Sequence, residues 1–166
     1  MRTLIKEIVI NTVERSGRIA MDRINYLGKI KYKSQKDLVS DVDEEVEKYM
    51  RETFRRYIPD ASFYGEEGGM HGKGKYLIAA DPIDATTNYI RGIPLFDISV
   101  SVYEDDQIIL GVISCPRLGE LFVAEKGYGA YLNGECIHVG STDDISKAMI
   151  GWNRSNHPPE RESFHR

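Results

Sequence analysis

The sequence has little that would tie it to a membrane, a nucleic acid or an oxidising compartment. No apolar run approaches the roughly 20 residues that a membrane span requires. The N-terminal stretch carries Arg2, Lys6, Glu7, Glu14 and Arg15, unlike a secretory signal. Positive charge is not in excess: 22 basic against 26 acidic residues leave a formal net charge of −4, which argues against a broad electrostatic grip on nucleic acid or anionic lipid. Cysteine is scarce, with Cys115 and Cys136 far apart, so paired-cysteine zinc and redox motifs have no support and free thiols are expected. Internal repeats, low-complexity tracts and linkers are missing as well. The expectation is a soluble, cytoplasmic protein with neither nucleic-acid nor membrane partners, in which an anionic ligand needs a local binding solution.

What is present suits a folded chain. At 166 residues the length suffices for one core, and 41% hydrophobic residues with dispersed Gly and Pro fit a globular protein. Leu4, Ile5, Ile8, Val9, Ile19, Ala20, Ile24 and Leu27 recur mostly at three- and four-residue intervals, which predicts an amphipathic helix stopped at Gly28. After the basic stretch Lys29 to Lys36, Val42, Val46, Tyr49, Met50, Phe54 and Tyr57 mark a second helix. Ser40 is its N-cap, Asp41, Asp43, Glu44 and Glu45 fill its first turns, and Pro59 closes it. The period then changes to two: Phe96, Ile98, Val100 and Val102 alternate with polar residues as in a half-buried strand. Turns at Asp105-Asp106, Arg117-Leu118-Gly119 and Asn133-Gly134 separate further strands at 108–115, 121–125 and 137–139. The fold class is therefore α+β, with two N-terminal helices covering one face of a mostly antiparallel sheet. Residues 68–75 read as a mobile surface loop, and 148–151 as one more strand.

The chemistry concentrates between these regions. Gly65-Glu66-Glu67-Gly68-Gly69 precedes the short buried strand 76–80, and Asp81-Pro82-Ile83-Asp84-Ala85-Thr86-Thr87-Asn88-Tyr89 follows it. Asp81 and Asp84 flank a turn that projects both carboxylates to one side and leaves the Ile83 carbonyl as another hard oxygen donor. Acids held this close repel one another unless a divalent cation or raised pKa values relieve them, and Mg²⁺ is the simpler remedy. Either piece alone would pass for an ordinary turn or a solvated acidic surface; together they make a candidate site. The amides of Ala85, Thr86 and Thr87 could cradle a phosphate if a helical turn starts here, and the Thr86 hydroxyl could hold a water or cap that turn. Asp97 could face the site or point outward, and the four histidines show no metal spacing.

The run 81–89 resembles the signature of the inositol monophosphatase family of Mg²⁺-dependent, lithium-sensitive phosphatases, preceded by a Gly-Glu-Glu element like that at 65–67. Lys36-Asp37-Leu38-Val39-Ser40-Asp41-Val42-Asp43 is similar to that family's entry into its second helix. Glu120 to Ala124 with Gly127 to Gly134 resembles its strand and hairpin. The resemblance implies a layered αβαβα phosphatase fold, of which residues 1–147 are the metal-binding α+β domain and 148–166 the start of a truncated C-terminal α/β domain. It further implies that Glu66, Asp81 and the Ile83 carbonyl hold one Mg²⁺ and that Asp81 and Asp84 contribute to a second. Thr86 and Asp43 would position the attacking water beside Glu66, while backbone amides at Ala85 and Thr86 would bind the phosphate. Glu67 has a weaker claim, in support of the metal ligands.

Two departures stand out. Ala85 occupies a position where the family usually has Gly, so either its φ is negative or strain is tolerated. The family's Trp-Asp element has no counterpart, because the single Trp152 is followed by Asn153. A Mg²⁺-dependent phosphomonoesterase acting on myo-inositol 1-phosphate is the leading expectation, with a small phosphorylated substrate and a homodimer as its partners. Fructose 1,6-bisphosphatase or 3′-phosphoadenosine 5′-phosphate phosphatase activity is the alternative within the superfamily. A non-catalytic truncated paralogue that binds a protein partner is the rival outside it.

Overall fold

The computed structural model describes residues 2–34 and 37–151, with the backbone alone for 32–34, 37 and 38. Lys36, the Trp152-Asn153 pair and the polar segment beyond it lie outside the described residues. Helix α1 spans Arg2–Arg23, followed by strands β1 (Ile30–Ser34) and β2 (Asp37–Ser40), then helix α2 (Asp41–Tyr57). Strands β3 (Ala61–Gly65), β4 (Gly69–His71) and β5 (Tyr76–Asp84) lead to the short helix α3 (Thr86–Ile90). The meander β6 (Asp97–Glu104), β7 (Gln107–Cys115), β8 (Glu120–Glu125), β9 (Gly129–Leu132) and β10 (Glu135–Ile137) completes the sheet. This is the α+β architecture predicted from the periodicities.

Among the described residues the main sheet has eight strands in the order β10-β9-β8-β7-β6-β5-β3-β4, and there only β3 and β5 run parallel. Its hairpins follow local turn chemistry. Asp105 and Asp106 both take positive φ, as do Asn133 and Gly134, which is the twisted two-residue turn that antiparallel strands require. Phe96, Ile98, Val100 and Val102 are buried under the helices, as their alternation with polar neighbours predicts. Helix α1 packs on β6, β7 and α2, while α2 packs on β3 and β5. The core runs between the two helices and that face, from Val9 and Val13 through Val42, Val46, Met50 and Phe54 to Ile78, Ile98 and Val112. The opposite face is open, and a groove there is lined by Ile108, Ile113, Phe122, Tyr131 and Ile137.

The structure corrects four boundaries. Helix α1 ends at Arg23 and not at Leu27, and Gly28 instead takes the positive φ that turns the chain into β1. Ile24 and Leu27 still pack partly buried on the core from a non-helical segment, which is why their spacing imitates a longer helix. Within 68–75, Gly69–His71 pairs with β3 as an edge strand, so that segment is not a free loop. The strand expected at 137–139 pairs only as Glu135–Ile137, and 148–151 form no strand: Met149 is 100% exposed, with no described neighbour offering a ladder or an apolar surface.

Phe54, buried and tilted against Phe63 with ring centroids 6.1 Å apart, fastens α2 to β3. Phe54→Ala is expected to lower unfolding free energy by about 3–5 kcal/mol, read as a shift in denaturant midpoint. A change below about 1 kcal/mol would show that α2 is not held by this contact.

Candidate metal and phosphate site

The site starts at the N-terminus of α2. Ser40 Oγ accepts from the Val42 amide at 3.3 Å, and Asp43 Oδ2 accepts from the Ser40 amide at 2.9 Å and the Ser40 hydroxyl at 2.6 Å, forming a reciprocal capping box. Asp43 is only 1% exposed. Burial raises its pKa, opposed by the hydrogen bonds from Ser40 and from Thr86. Its second oxygen, Oδ1, is 2.9 Å from Thr86 Oγ1, which also lies 3.0 Å from the Ile83 carbonyl oxygen. A hydroxyl has one proton, so Thr86 donates to one of these acceptors at a time and keeps lone pairs for a further donor. The structure thus joins Asp43 and Thr86, the two residues expected to position the water, by a direct hydrogen bond.

Strand register brings the other acids together. In the parallel pair β3–β5, Gly65 lies opposite Ala80, so one step further along both chains places Glu66 beside Asp81. The two carboxyls share a hydrogen bond. In β5, Asp81 pairs with Ser99 and Asp84 with Asp97, so three steps on β5 match two on β6. This bulge adds one residue and turns Asp84 to the side of Asp81, where a regular strand would send residues three apart to opposite faces. Burial, then the charge and hydrogen bond of Glu66, then the charge of Asp84, push the Asp81 carboxyl up to about 8. Asp97 rises to about 6, through burial and then Asp84, which brings it into the site's electrostatic field.

Glu66 and Asp81 therefore meet, and Asp84 stands close enough to perturb Asp81 while remaining exposed. Among the described residues, no three His, Cys, Asp or Glu side chains form a ready-made metal cage. The donor set nevertheless suits Mg²⁺, a hard cation that is commonly held by one or two carboxylates with waters and phosphate oxygens completing its shell. A protonated Asp81 hydrogen-bonded to Glu66 is how the two crowded acids relieve their repulsion without a cation. The Ile83 carbonyl has a second lone pair beyond the one facing Thr86.

Ala85 takes φ 64° and ψ 49°, the left-handed region. Strain is thus tolerated where the sequence left two options. Ala85 O accepts from the amides of Asn88 and Tyr89, which starts α3 and leaves the first amides of that turn without partners inside the helix. Tyr89, fully buried against Phe96, donates its hydroxyl to Ala20 O at 2.7 Å and so pins α3 to α1.

Sequence reasoning missed Glu47. It is 2% exposed, one turn after Asp43 on the buried side of α2, and its Oε2 and Oε1 accept from the amides of Glu67 at 2.7 Å and Gly68 at 2.9 Å. The available signal was an acid at i+4 from Asp43, in step with the stripe Val42, Val46, Met50, Phe54. Glu67 itself enters this arrangement through its backbone amide.

Two outcomes follow. Unfolded, Asp81 loses its proton near 3.8, whereas the folded protein holds it to about 8. The native state then binds more protons across that window, so thermal stability of the metal-free protein falls as pH rises from about 4 to 8; Asp97 and Asp43 act in the same direction. A melting temperature that rises with pH over this range would contradict the raised Asp81 carboxyl. Ala85→Gly relieves about 1–2 kcal/mol of left-handed strain and returns about 0.4–1 kcal/mol in unfolded-chain entropy. The variant should gain about 0.5–1 kcal/mol in denaturant unfolding with unchanged divalent-cation affinity by calorimetry, and a large change in that affinity would contradict this placement.

Comparison with known proteins supplies the lineage. The chain matches the inositol monophosphatase family over residues 2–165. It is 35% identical over 160 residues to the Nus factor SuhB of Xylella fastidiosa, covering 95% of this chain and 58% of that protein. It is 37% identical over 114 residues to the fructose-1,6-bisphosphatase/inositol-1-monophosphatase of Thermotoga maritima, covering 69% of this chain and 44% of that one. The fold superposes on the solved Thermotoga maritima IMPase with a TM-score of 0.78 at 34% identity, over 85% of this chain and 55% of that one. The chain thus spans about half the length of the curated relatives it matches, and it belongs to the inositol monophosphatase family.

Proposed function

We propose that this chain provides the metal- and phosphate-binding half of a Mg²⁺-dependent phosphomonoesterase whose substrate is myo-inositol 1-phosphate. Residues 1–147 form that unit, and 148–166 begin a second α/β domain. The observation that carries this reading is the Glu66–Asp81 carboxyl contact, set one step beyond the β3–β5 register, with the Thr86–Asp43 pair formed two residues after Asp84. Glu66, Asp81 and the Ile83 carbonyl would hold one Mg²⁺, and Asp81 with Asp84 would contribute to a second. The chemistry that Mg²⁺ supplies when bound is activation of the attacking water and neutralisation of charge on phosphoryl oxygens. Thr86 donates its proton to Asp43 and accepts from the water through a lone pair, which orients that water for in-line attack. The Ala85 and Thr86 amides donate to the phosphate oxygens at the start of α3.

A sugar bisphosphate is the second reading, favoured by the relative named as a fructose-1,6-bisphosphatase/inositol-1-monophosphatase. The exposed Ile108, Ile113 and Ile137 favour a third, in which the open sheet face receives a protein partner. The proposal extends to a homodimer in the cytoplasm and to inhibition by lithium.

Phosphate release from myo-inositol 1-phosphate and fructose 1,6-bisphosphate should be assayed with the 166-residue chain and with the protein extended to its relatives' length. Mg²⁺-dependent release is expected, fastest on the inositol ester. Thr86→Ala should lower kcat by about 10²- to 10⁴-fold. No release from either ester by either form, with or without Mg²⁺, would overturn the enzyme reading.

A further inference from the structure

Glu47 is a buried carboxylate with no part in the hydrolysis outlined above. An ionised acid inside a protein is costly unless donors surround it. Here both oxygens accept from main-chain amides of one loop, Glu67 N–H and Gly68 N–H, with Arg51 Nη1 3.6 Å from Oε1. Those amides belong to the two residues directly after Glu66. The neighbouring glycines fit the same arrangement. A Cβ on Gly65 would stand 2.3 Å from Glu47 Cδ, and one on Gly68 would stand 2.5 Å from Oε1, so the loop closes around this carboxylate with no space for side chains. Packing alone does not call for an acid here, since an apolar residue would continue the α2 stripe at lower desolvation cost.

We propose that Glu47 is a positioning residue that fixes the Glu66 loop from beneath and so holds the Glu66 carboxylate against Asp81 for a shared Mg²⁺. This rests on the metal-dependent reading above. Helix α2 then serves the site twice, through Asp43 at its first turn and through Glu47 one turn later. The rigid core stripe of the helix transmits its position to a loop that has no apolar anchor of its own.

Glu47→Gln preserves shape but turns an amide N–H₂ toward one of the two backbone N–H groups. In the 166-residue chain, Mg²⁺ titration calorimetry should show an affinity about 10–100-fold weaker than wild type, the usual cost of removing a group that orients a metal ligand. Hydrogen exchange of the Glu67 and Gly68 amides should quicken, while amides of the α2 core stripe keep their protection. Glu52→Gln, on the exposed side of the same helix, serves as the control and should match wild type. Gly68→Ala approaches from the loop side: its methyl would displace Oε1, and the same loss of Mg²⁺ affinity is expected with α2 intact. That variant also decides the matter if Glu47→Gln does not fold. Folded variants at either position that bind Mg²⁺ as wild type does would overturn the positioning role and leave the phosphatase reading standing. A wild-type chain that binds no Mg²⁺ would remove the positioning role, and the phosphatase reading would then rest on the phosphate-release assay alone.

Discussion

Two carboxyl groups in contact, Glu66 and Asp81, are the constraint around which the rest of the molecule is arranged. Their meeting follows from main-chain geometry, because β3 and β5 run parallel and each acid comes one step after the last paired residue. Parallel strands end side by side, so residues leaving them in step are delivered to a common point. Asp81 is half-buried there while Glu66 is exposed, and burial together with the neighbouring charge raises the pKa of Asp81. A divalent cation removes the conflict that protonation of Asp81 removes in its absence.

The surrounding elements keep that point rigid. Helix α2 is anchored along Val42, Val46, Met50 and Phe54, and the same turns carry Asp43 and Glu47 on the buried side. Asp43 serves both as the reciprocal cap of its own helix and as acceptor for Thr86, so helix formation and placement of the Thr86 hydroxyl are one event. On the far side, the bulge in β5 brings Asp84 to the side of Asp81, and the Tyr89 hydroxyl ties α3 to α1. The left-handed turn at Ala85 is tolerated because both of its neighbours in the chain, β5 and α3, are held by these contacts.

Elements with a strong period were legible in the sequence. Helix α2 and the β6–β8 meander were readable because an i, i+4 stripe or strict alternation reports burial directly, and the two hairpin turns were readable because Asp-Asp and Asn-Gly accept positive φ. The end of α1 was not, since Ile24 and Leu27 pack on the core without being helical. The β1–β2 hairpin is built from alternating Lys and Tyr, which reads as a solvated basic stretch, and β4 is too short to carry a period. In the site, the side shared by Asp81 and Asp84 was inferred from turn residues, whereas its cause is a register shift visible only when β6 is in place. Glu47 was hidden because an acid on a charged helix looks like surface, and only the fold shows that its turn faces the Glu67–Gly68 amides.

The most direct measurement is the pH titration of the Asp81 carboxyl carbon by ¹³C NMR, with and without Mg²⁺. The account predicts a midpoint near 8 in the metal-free protein, displaced far downward when Mg²⁺ replaces the Asp81 proton. An Asp81 that titrates near 4 in both conditions would show that the two acids neither meet nor share an ion.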